Sequence, residues 1–161
     1  MAVAGTIFDL NSFINSAPVL FETDSTLNEL HPHEFIHRFK IDNDYISCIK
    51  WLDEYYISGS DLFKILNFKF DKFGRIITNL KKFHEGVFSD LRNLRTGFDS
   101  ILEEPRSMLL DLLFKFGAIR TQKKQKVFRW YSVPYDRLFL DALERDLKRE
   151  FKGLAVSYFT R

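Results

Sequence analysis

The amino-acid sequence predicts an α+β domain with a helical core and β-hairpins, and three observations support this class. Residues 35–57 hold short runs of aromatic and β-branched side chains between turn residues, which is typical of strands. Residues 58–116 carry apolar side chains at helical spacing, separated by capping residues and glycines. A basic run at residues 120–126 then leads into an alternating, aromatic-rich segment, which predicts a further strand.

The N-terminal part predicts one short helix followed by strands. The helix covers Asp9–Ser16, carries Leu10, Phe13 and Ile14 on one side, and is expected to end before Ala17-Pro18. The polar residues from Glu22 to Glu29 predict a loop. Strands are predicted at residues 35–40, 45–50 and 55–57, with turns at residues 42–44 and near Asp53-Glu54.

Helices are predicted for most of the remainder. Ser58-Gly59-Ser60-Asp61 supplies capping residues for the helix that follows, and Gly74 ends this helical region. A second helix is predicted from Ile76 to Phe83, ended by Gly86, and a short third helix is capped by Ser89-Asp90 and continues through Leu94.

Two further helices are predicted towards the C-terminus. Pro105 suits the first turn of a helix whose apolar side chains, from Met108 to Phe116, are all expected in the core, and Gly117 can cap its end. Pro134 starts a last helix, from Asp136 to about Lys152, which carries the apolar series Phe139, Leu143, Leu147 and the ion pairs Asp141–Arg145 and Glu144–Lys148.

The basic run has the chemistry of a nucleic-acid contact. Residues 120–129 hold five basic side chains, no acidic one, and neither glycine nor proline. Lysine and arginine neutralise phosphates, and the amides of Gln122 and Gln125 can bond to phosphates or base edges. Helices followed by a β-hairpin with a basic tip outline a winged helix-turn-helix. A solvated hairpin tip is the alternative interpretation.

Charge is distributed unevenly along the chain. Residues 1–48 hold seven acidic and two basic side chains, a net charge of −5, and residues 49–161 hold 22 basic and 15 acidic ones, a net charge of +7. The second part is therefore the candidate for an anionic partner.

Other functional classes are disfavoured. No apolar run approaches the ~20 residues of a membrane span, and the N-terminus lacks a signal-peptide pattern, so an intracellular protein without membrane contact is expected. The single cysteine, Cys48, excludes a disulfide framework and a cysteine-based zinc finger within this chain and is expected in the core. With no glycine-rich phosphate loop, we predict no cofactor and no small-molecule substrate.

Metal and catalytic sites are also disfavoured. His31, His33 and His37 lie close in sequence, but the segment is predicted as a strand and Pro32 opposes a helical start. The acidic side chains of the last helix have the spacing of surface ion pairs rather than of a catalytic group; they are Asp136, Asp141, Glu144 and Asp146.

From about Tyr45 to Glu150 the chain resembles the DNA-binding domain of the fungal sterile-twelve-like (STE) transcription factors. The resemblance rests on several long blocks in the same order, which are YISCIKW (45–51), YYISGSDL (55–62), KKFHEGVFSDLRNL (81–94), LEEPRS (102–107), RTQKKQKVF (120–128) and SVPYDRLFLDALERDLKRE (132–150).

This resemblance implies a nuclear, sequence-specific DNA-binding domain that reads pheromone-response elements with a TGAAAC-like core. It implies control of mating, filamentation or invasive growth downstream of a MAP-kinase cascade. The implied fold is winged-helix-like, of the KilA-N/APSES type; the alternative is a homeodomain-like helical bundle. The domain is expected at residues 45–152, after an acidic extension (1–44) packed on it and before a tail (153–161).

The candidate DNA-binding residues combine the basic segment with cations of the helical region. They are Arg75, Lys81, Lys82, Arg92, Asn93, Arg120, Thr121, Gln122, Lys123, Lys124, Gln125, Lys126 and Arg129. Arg92 and Asn93 have the chemistry for guanine and adenine edges, and together with Lys81 and Lys82 they are expected on the same face as the basic segment. The alternative for Arg92 is a helix cap or a pair with Asp90 or Glu85.

The sequence leaves two questions about binding partners open. The domain could act on DNA as a homodimer or with partner transcription factors on composite sites. It could instead be a protein-interaction module whose basic face binds an acidic partner. The chain has no Ser-Pro or Thr-Pro, so a proline-directed MAP kinase has no minimal target in it.

Overall fold

The structure is a computed structural model that describes residues 3–4, 6–23, 36–156 and 158–160. Its helices are α1 (Ile7–Thr23), α2 (Gly59–Lys72), α3 (Leu80–Leu91), α4 (Met108–Lys115) and α5 (Tyr135–Phe151). Its strands are β1 (Val3–Ala4), β2 (Ile36–Ile41), β3 (Asp44–Trp51), β4 (Glu54–Ser58), β5 (Arg75–Ile77), β6 (Ser100–Glu103), β7 (Gln125–Arg129) and β8 (Tyr158–Thr160). His31, His33 and most of the predicted loop at residues 22–29 lie outside the described residues.

Six strands form one sheet in the order β1-β2-β3-β4-β7-β6, and β5 pairs with β8 in a second, two-stranded sheet. All of these pairings are antiparallel except that of β1 with β2. The predicted α+β class is confirmed. The helical-bundle alternative is wrong, because it has no place for a six-stranded sheet.

The large sheet is covered on both faces. Ile57 and Phe128 point to the face that carries α1, α2, α3 and α5, whereas Tyr56 and Val127 point to the face that carries α4. Neighbouring residues of a strand point to opposite faces, so this alternation explains why β4 and β7 are apolar on both sides. Val127 of β7 packs in one apolar cluster with Leu109 and Leu113 of α4.

Helix α1 continues through Pro18, although the sequence predicted an end before it. Proline has no N–H to donate to the carbonyl four residues earlier, which is that of Ile14. The ring nitrogen of Trp130 donates to this carbonyl instead, at 2.9 Å. A partner 116 residues away therefore permits a proline that a local reading takes as a helix end.

Residues 75–94 form a strand and one helix rather than two helices. Arg75–Ile77 is extended because it pairs with Tyr158–Thr160, a partner remote in sequence. Helix α3 continues through Gly86, where the Arg145 side chain of α5 crosses it. A Cβ at Gly86 would lie 3.0 Å from Nη2 of Arg145, so the glycine provides room for the crossing.

Helix α4 starts later and is less buried than predicted. Ser107 caps it by accepting a hydrogen bond from the Leu110 N–H, and Pro105 lies outside it. Gly117 ends it with a φ of 75°, as predicted. Met108 is 78% exposed and Phe114 is 47% exposed, so the expectation of an all-core helix is wrong for these two side chains.

Helix α5 begins after Pro134, as predicted. Phe139 is buried and Leu143 packs against the core, but Leu147 is partly exposed. Glu144 and Lys148 form the predicted ion pair at 2.9 Å. The predicted Asp141–Arg145 pair is not formed, because Arg145 binds Asp90 and Asp141 lies 3.7 Å from Arg137.

The N-terminal and C-terminal parts both contact the rest of the chain. Leu10, Phe13 and Phe39 belong to the same apolar core as α2 and α5, and Tyr158 is buried there too. Cys48 is fully buried, as predicted, and burial raises its pKa well above the usual value. Among the described residues no helix is long and apolar enough to cross a membrane.

Candidate nucleic-acid interface

The basic segment (residues 120–126) connects α4 to β7 and is not the turn of a simple hairpin. Strands β6 and β7 pair antiparallel, but residues 104–124, including all of α4, lie between them. The segment therefore follows the buried residues Ala118 and Ile119 and continues into an interior strand of the sheet. Both of its ends are fixed by the core, as a rigid cationic surface requires.

Hydrogen bonds within the segment fix its shape. The side-chain amide of Gln125 donates to the carbonyls of Thr121 and Lys123, at 2.9 and 3.0 Å. The Arg106 N–H donates to the Gln122 carbonyl at 3.0 Å. Gln125 thus orders the segment in this structure, whereas the sequence predicted a direct contact to DNA.

Beside the segment lies a groove, here called the basic groove. One wall is the segment, with Thr121, Lys123, Lys124, Gln125 and Lys126. The other wall comes from α2 and the C-terminal half of α3, with Phe63, Phe88 and Arg92. The groove is apolar at its floor, where Leu91 and Phe128 are buried, and cationic at its rim.

Helix α3 presents one apolar and one polar face. Asn79 caps it by accepting a hydrogen bond from the Lys82 N–H at 3.0 Å. Its buried face is the series Phe83, Val87, Leu91. Its outer face is the series Lys81, His84, Phe88, Arg92, which with Glu85 and Ser89 lines a second groove continuous with the first through Phe88 and Arg92.

His84 links the outer face of α3 to α2. Its ring packs, tilted by 34°, against the Phe63 ring with 4.2 Å between centroids. Partial burial lowers the pKa of His84, and the positive charge of Arg120 lowers this pKa further. Partial burial and the charge of Arg120 thus both favour the neutral form of the imidazole by lowering its pKa.

Several of the predicted site residues have side chains without intramolecular partners among the described residues. Within the part of the chain that the structure describes, the side chains of Lys81, Arg92, Asn93 and Lys123 form no hydrogen bond, ion pair or ring contact. A pair between Arg92 and Asp90 is not formed, because both oxygens of Asp90 accept from Arg145 at 3.0 Å. Arg92 lines the basic groove and Lys81 lines only the adjoining second groove, whereas Asn93 lines neither.

Lys124 and Lys126 are partly engaged. Lys124 lies 3.5 Å from a carboxylate oxygen of Glu104, and both side chains are exposed. The ammonium of Lys126 donates to the Leu94 carbonyl at 3.0 Å, which attaches β7 to the loop after α3. Lys126 is therefore half-buried at the groove and has a structural contact as well as a charge.

Three predicted residues lie away from the basic groove. Arg75 is in β5, where its guanidinium lies over the ring of Tyr158. The Lys82 ammonium donates to the Ala155 carbonyl at 2.7 Å. Arg129 pairs with Glu54 at 3.2 Å, on the α4 side of the sheet. The structure does not bring these cations together with the basic segment.

The aromatic part of the surface is not among the predicted site residues. Phe63, His84 and Phe88 form a row on which the two grooves meet. The loop after α3 adds Arg95, whose guanidinium lies 4.8 Å from the ring centroid of the exposed Phe98. The available signal was the position of Phe88, because it falls one residue after Val87 and outside the buried series of α3.

The acidic residues considered for catalysis form ion pairs instead. Asp136 lies 3.4 Å from Lys69, Asp141 lies 3.7 Å from Arg137, and Glu144 pairs with Lys148. Among the described residues, no group of three histidine, cysteine or acidic side chains could hold a metal ion.

Comparison with known proteins identifies relatives of this chain. The profile of the family described as STE-like transcription factor matches residues 20–159. Transcription factor MST12 of Pyricularia oryzae is 54% identical over 146 residues, which cover 90% of this chain and 19% of the relative. Transcription factor CPH1 of Candida albicans is 47% identical over 149 residues, 91% of this chain and 21% of the relative.

Protein STE12 of Saccharomyces cerevisiae is 46% identical over 146 residues, which cover 89% of this chain and 20% of the relative. The chain thus spans about a fifth of the length of the relatives it matches. No solved structure matches it.

Proposed function

The chain belongs to the family of STE-like transcription factors, and on that premise we propose that it binds double-stranded DNA sequence-specifically in the fungal nucleus. The observation that carries the proposal is the convergence of the outer face of α3 and the basic segment on one groove. We propose a TGAAAC-like pheromone-response element as the target, and mating, filamentation or invasive growth, downstream of a MAP-kinase cascade, as the processes controlled.

In the proposed arrangement α3 enters the major groove. A major groove about 12 Å wide admits an α-helix, and the outer face of α3 carries the side chains that can reach base edges. Arg92 has the donors for guanine, and Asn93, in the turn that follows, has the donor and acceptor for adenine. The cations of the two grooves, Lys81, Lys123, Lys124 and Lys126, together with Arg120 of the basic segment, would contact phosphates on either side.

The groups that bind DNA are thus a subset of the candidates from the sequence. Arg75, Lys82 and Arg129 have intramolecular partners, so we propose that they support the fold. Residues 45–152 would form the DNA-binding unit, with residues 1–44 as an acidic extension packed against it. A transcription factor family is not a family of enzymes, and no catalysis is proposed.

The proposal is tested by fluorescence titration of the protein with a TGAAACA duplex and with a scrambled duplex of the same composition. At about 150 mM salt the TGAAACA duplex should bind at least tenfold more tightly, since specific sites are typically favoured by far more. Stoichiometry from the same titration distinguishes one copy from two on the element.

Equal binding of the two duplexes would contradict sequence-specific recognition. Failure to bind either duplex, together with salt-dependent capture of an acidic protein, would support the alternative of a protein-interaction module. Charge contacts to an acidic protein need no preference among DNA sequences.

A further inference from the structure

Phe88 is a large apolar side chain in the centre of a cationic surface. It is 59% exposed and lies on the outer face of α3 between His84 and Arg92. The packing of α3 does not require it, because Phe83, Val87 and Leu91 supply the buried face. A single exposed apolar residue is ordinary in itself, so the inference depends on its surroundings.

Neighbouring rings support Phe88 from behind. The centroids of the Phe63 and Phe88 rings lie 6.0 Å apart, and the His84 ring packs, tilted by 34°, against Phe63 with 4.2 Å between centroids. Because Phe63 packs against the core, the row of rings has a fixed base. Phe88 is thus held at the surface by side chains that are themselves in place.

Charge surrounds this apolar row but does not enter it. His84 is partly buried beside Arg120, which disfavours a further positive charge at the imidazole. Arg92, Lys123 and Lys126 line the basic groove that Phe88 also lines. The surface therefore has an apolar centre and a cationic rim, which is complementary to an apolar group flanked by phosphates.

We propose that Phe88 packs against the 5-methyl groups of thymines in the major groove. This inference rests on the proposed function, and it names what the exposed face of α3 recognises. The thymine methyl is the apolar group that base pairs present in the major groove, and the other groups there are hydrogen-bond donors and acceptors. With the rim cations on phosphates, residues 84–92 of α3 face the base edges, and Phe88 lies at their centre.

The size of the effect follows from the size of the group. Removing one methyl from an apolar contact weakens binding by about fourfold, which corresponds to roughly 0.8 kcal/mol. Deoxyuridine lacks only this methyl group and keeps the base pair, so it isolates the contact. A hydrogen bond to the same thymine would be unchanged by the replacement.

The experiment uses the whole chain and a set of TGAAACA duplexes in which each thymine is replaced singly by deoxyuridine. The unaltered protein should bind one or two of these duplexes about three- to fivefold more weakly. Phe88→Ala should bind thymine and deoxyuridine duplexes equally, while keeping its melting temperature because the side chain is exposed. Phe151→Ala is the matched control, because Phe151 is 93% exposed at the end of α5 and does not line either groove.

The outcomes separate this inference from the proposed function. If the unaltered protein prefers TGAAACA over the scrambled duplex but ignores every deoxyuridine, Phe88 does not read thymine and the DNA-binding proposal still holds. If Phe88→Ala keeps the deoxyuridine effect, another residue makes the contact and the inference is also wrong. If the unaltered protein shows no preference between the TGAAACA and the scrambled duplex, the proposed function itself is contradicted.

Discussion

Trp130 joins distant parts of the chain through one hydrogen bond. It is 1% exposed, packs edge-on against Phe13 at 5.9 Å, and donates from its ring nitrogen to the Ile14 carbonyl. Pro18 leaves this carbonyl without its helical donor, so the ring nitrogen supplies what α1 lacks. The tryptophan therefore contributes both apolar burial and a specific polar contact.

Replacement of Trp130 should separate these two contributions. Trp130→Ala is expected to lower the free energy of unfolding by about 3–5 kcal/mol, and Trp130→Phe by about 1–3 kcal/mol through the unpaired carbonyl. In a Pro18→Ala background the helix regains its own donor, so Trp130→Phe should cost less there. Urea denaturation of the four proteins of this cycle gives the coupling, and strict additivity would argue against the role of Pro18.

Asp61 is a fully buried carboxylate at the start of α2. Its side chain accepts from the Ser47 N–H at 2.8 Å and lies 3.0 Å from the Lys64 ammonium. Burial raises the pKa of Asp61 to about 6, although Lys64 and the Ser47 N–H act in the opposite direction. In an unfolded chain an aspartate has a pKa of about 3.9.

The stability contributed by Asp61 should therefore depend on pH. Between about pH 4 and 6 the folded protein holds a proton that the unfolded chain has released, so this contribution falls as pH rises through that window. Asp61→Asn cannot titrate and keeps an oxygen for the Ser47 N–H. The unfolding free energy of the unaltered protein minus that of Asp61→Asn should therefore increase, by roughly 2–3 kcal/mol at most, when the pH is lowered from about 7 to 4. A difference that stays constant with pH would mean that Asp61 has an ordinary pKa.

The basic residues show what a sequence can and cannot reveal about single side chains. Composition and family resemblance selected thirteen candidates, and the basic groove contains several of them. Lys82, however, bonds to a carbonyl 73 residues away, and Arg129 is paired across two strands with Glu54. Such partners depend on the tertiary fold, so local pattern cannot distinguish a cation available to a ligand from one that is already engaged.

At the scale of elements, the strands β2, β3 and β4 were predictable because their turns are local. Asp42, Leu52 and Asp53 have positive φ values in those turns, and the alternation between them is strong. Strand β5 was missed because its partner is β8, near the other end of the chain. Helix α3 was wrongly predicted as two helices, because Gly86 was interpreted as a helix end. The glycine instead provides room for Arg145, which belongs to another helix.

Two lysines of the basic segment contribute few contacts to the fold. Lys123 is exposed without a side-chain partner among the described residues, and Lys124 has only an exposed pair with Glu104. Exposed pairs of this kind contribute at most about 1 kcal/mol. Lys126 differs, because its bond to the Leu94 carbonyl attaches β7 to the loop after α3.

Lys123→Ala combined with Lys124→Ala should therefore leave the melting temperature nearly unchanged and weaken DNA binding by roughly tenfold. Lys148→Ala combined with Lys152→Ala is the matched control, since it removes the same charge from exposed positions at the C-terminal end of α5. Titration with the TGAAACA duplex and thermal denaturation measure the two effects. Equal loss of affinity in both double variants would indicate that net charge alone, and not the segment, determines binding.

Across the whole molecule, two acidic side chains of the N-terminal part lie away from the basic segment. Asp42 and Asp44 lie at the turn between β2 and β3, near one end of the sheet order, whereas the basic segment leads into β7 near the other end. Three strand spacings separate β2 from β7, a distance of about 14 Å. This exceeds the Debye length of about 8 Å at physiological salt, so these two carboxylates are largely screened from DNA bound at the groove.

The salt dependence of DNA binding should accordingly follow the number of cations at the groove rather than the net charge of +2. If about five of them contact phosphates, the slope of log affinity against log salt concentration should be roughly −4 to −5. The Lys123→Ala, Lys124→Ala double variant should reduce the magnitude of this slope by about 1 to 2, because fewer counterions are released. Titrations with the TGAAACA duplex between about 50 and 200 mM KCl measure both slopes. A slope near zero in the unaltered protein would exclude phosphate contacts as the source of affinity, and an unchanged slope in the variant would place those contacts on other cations.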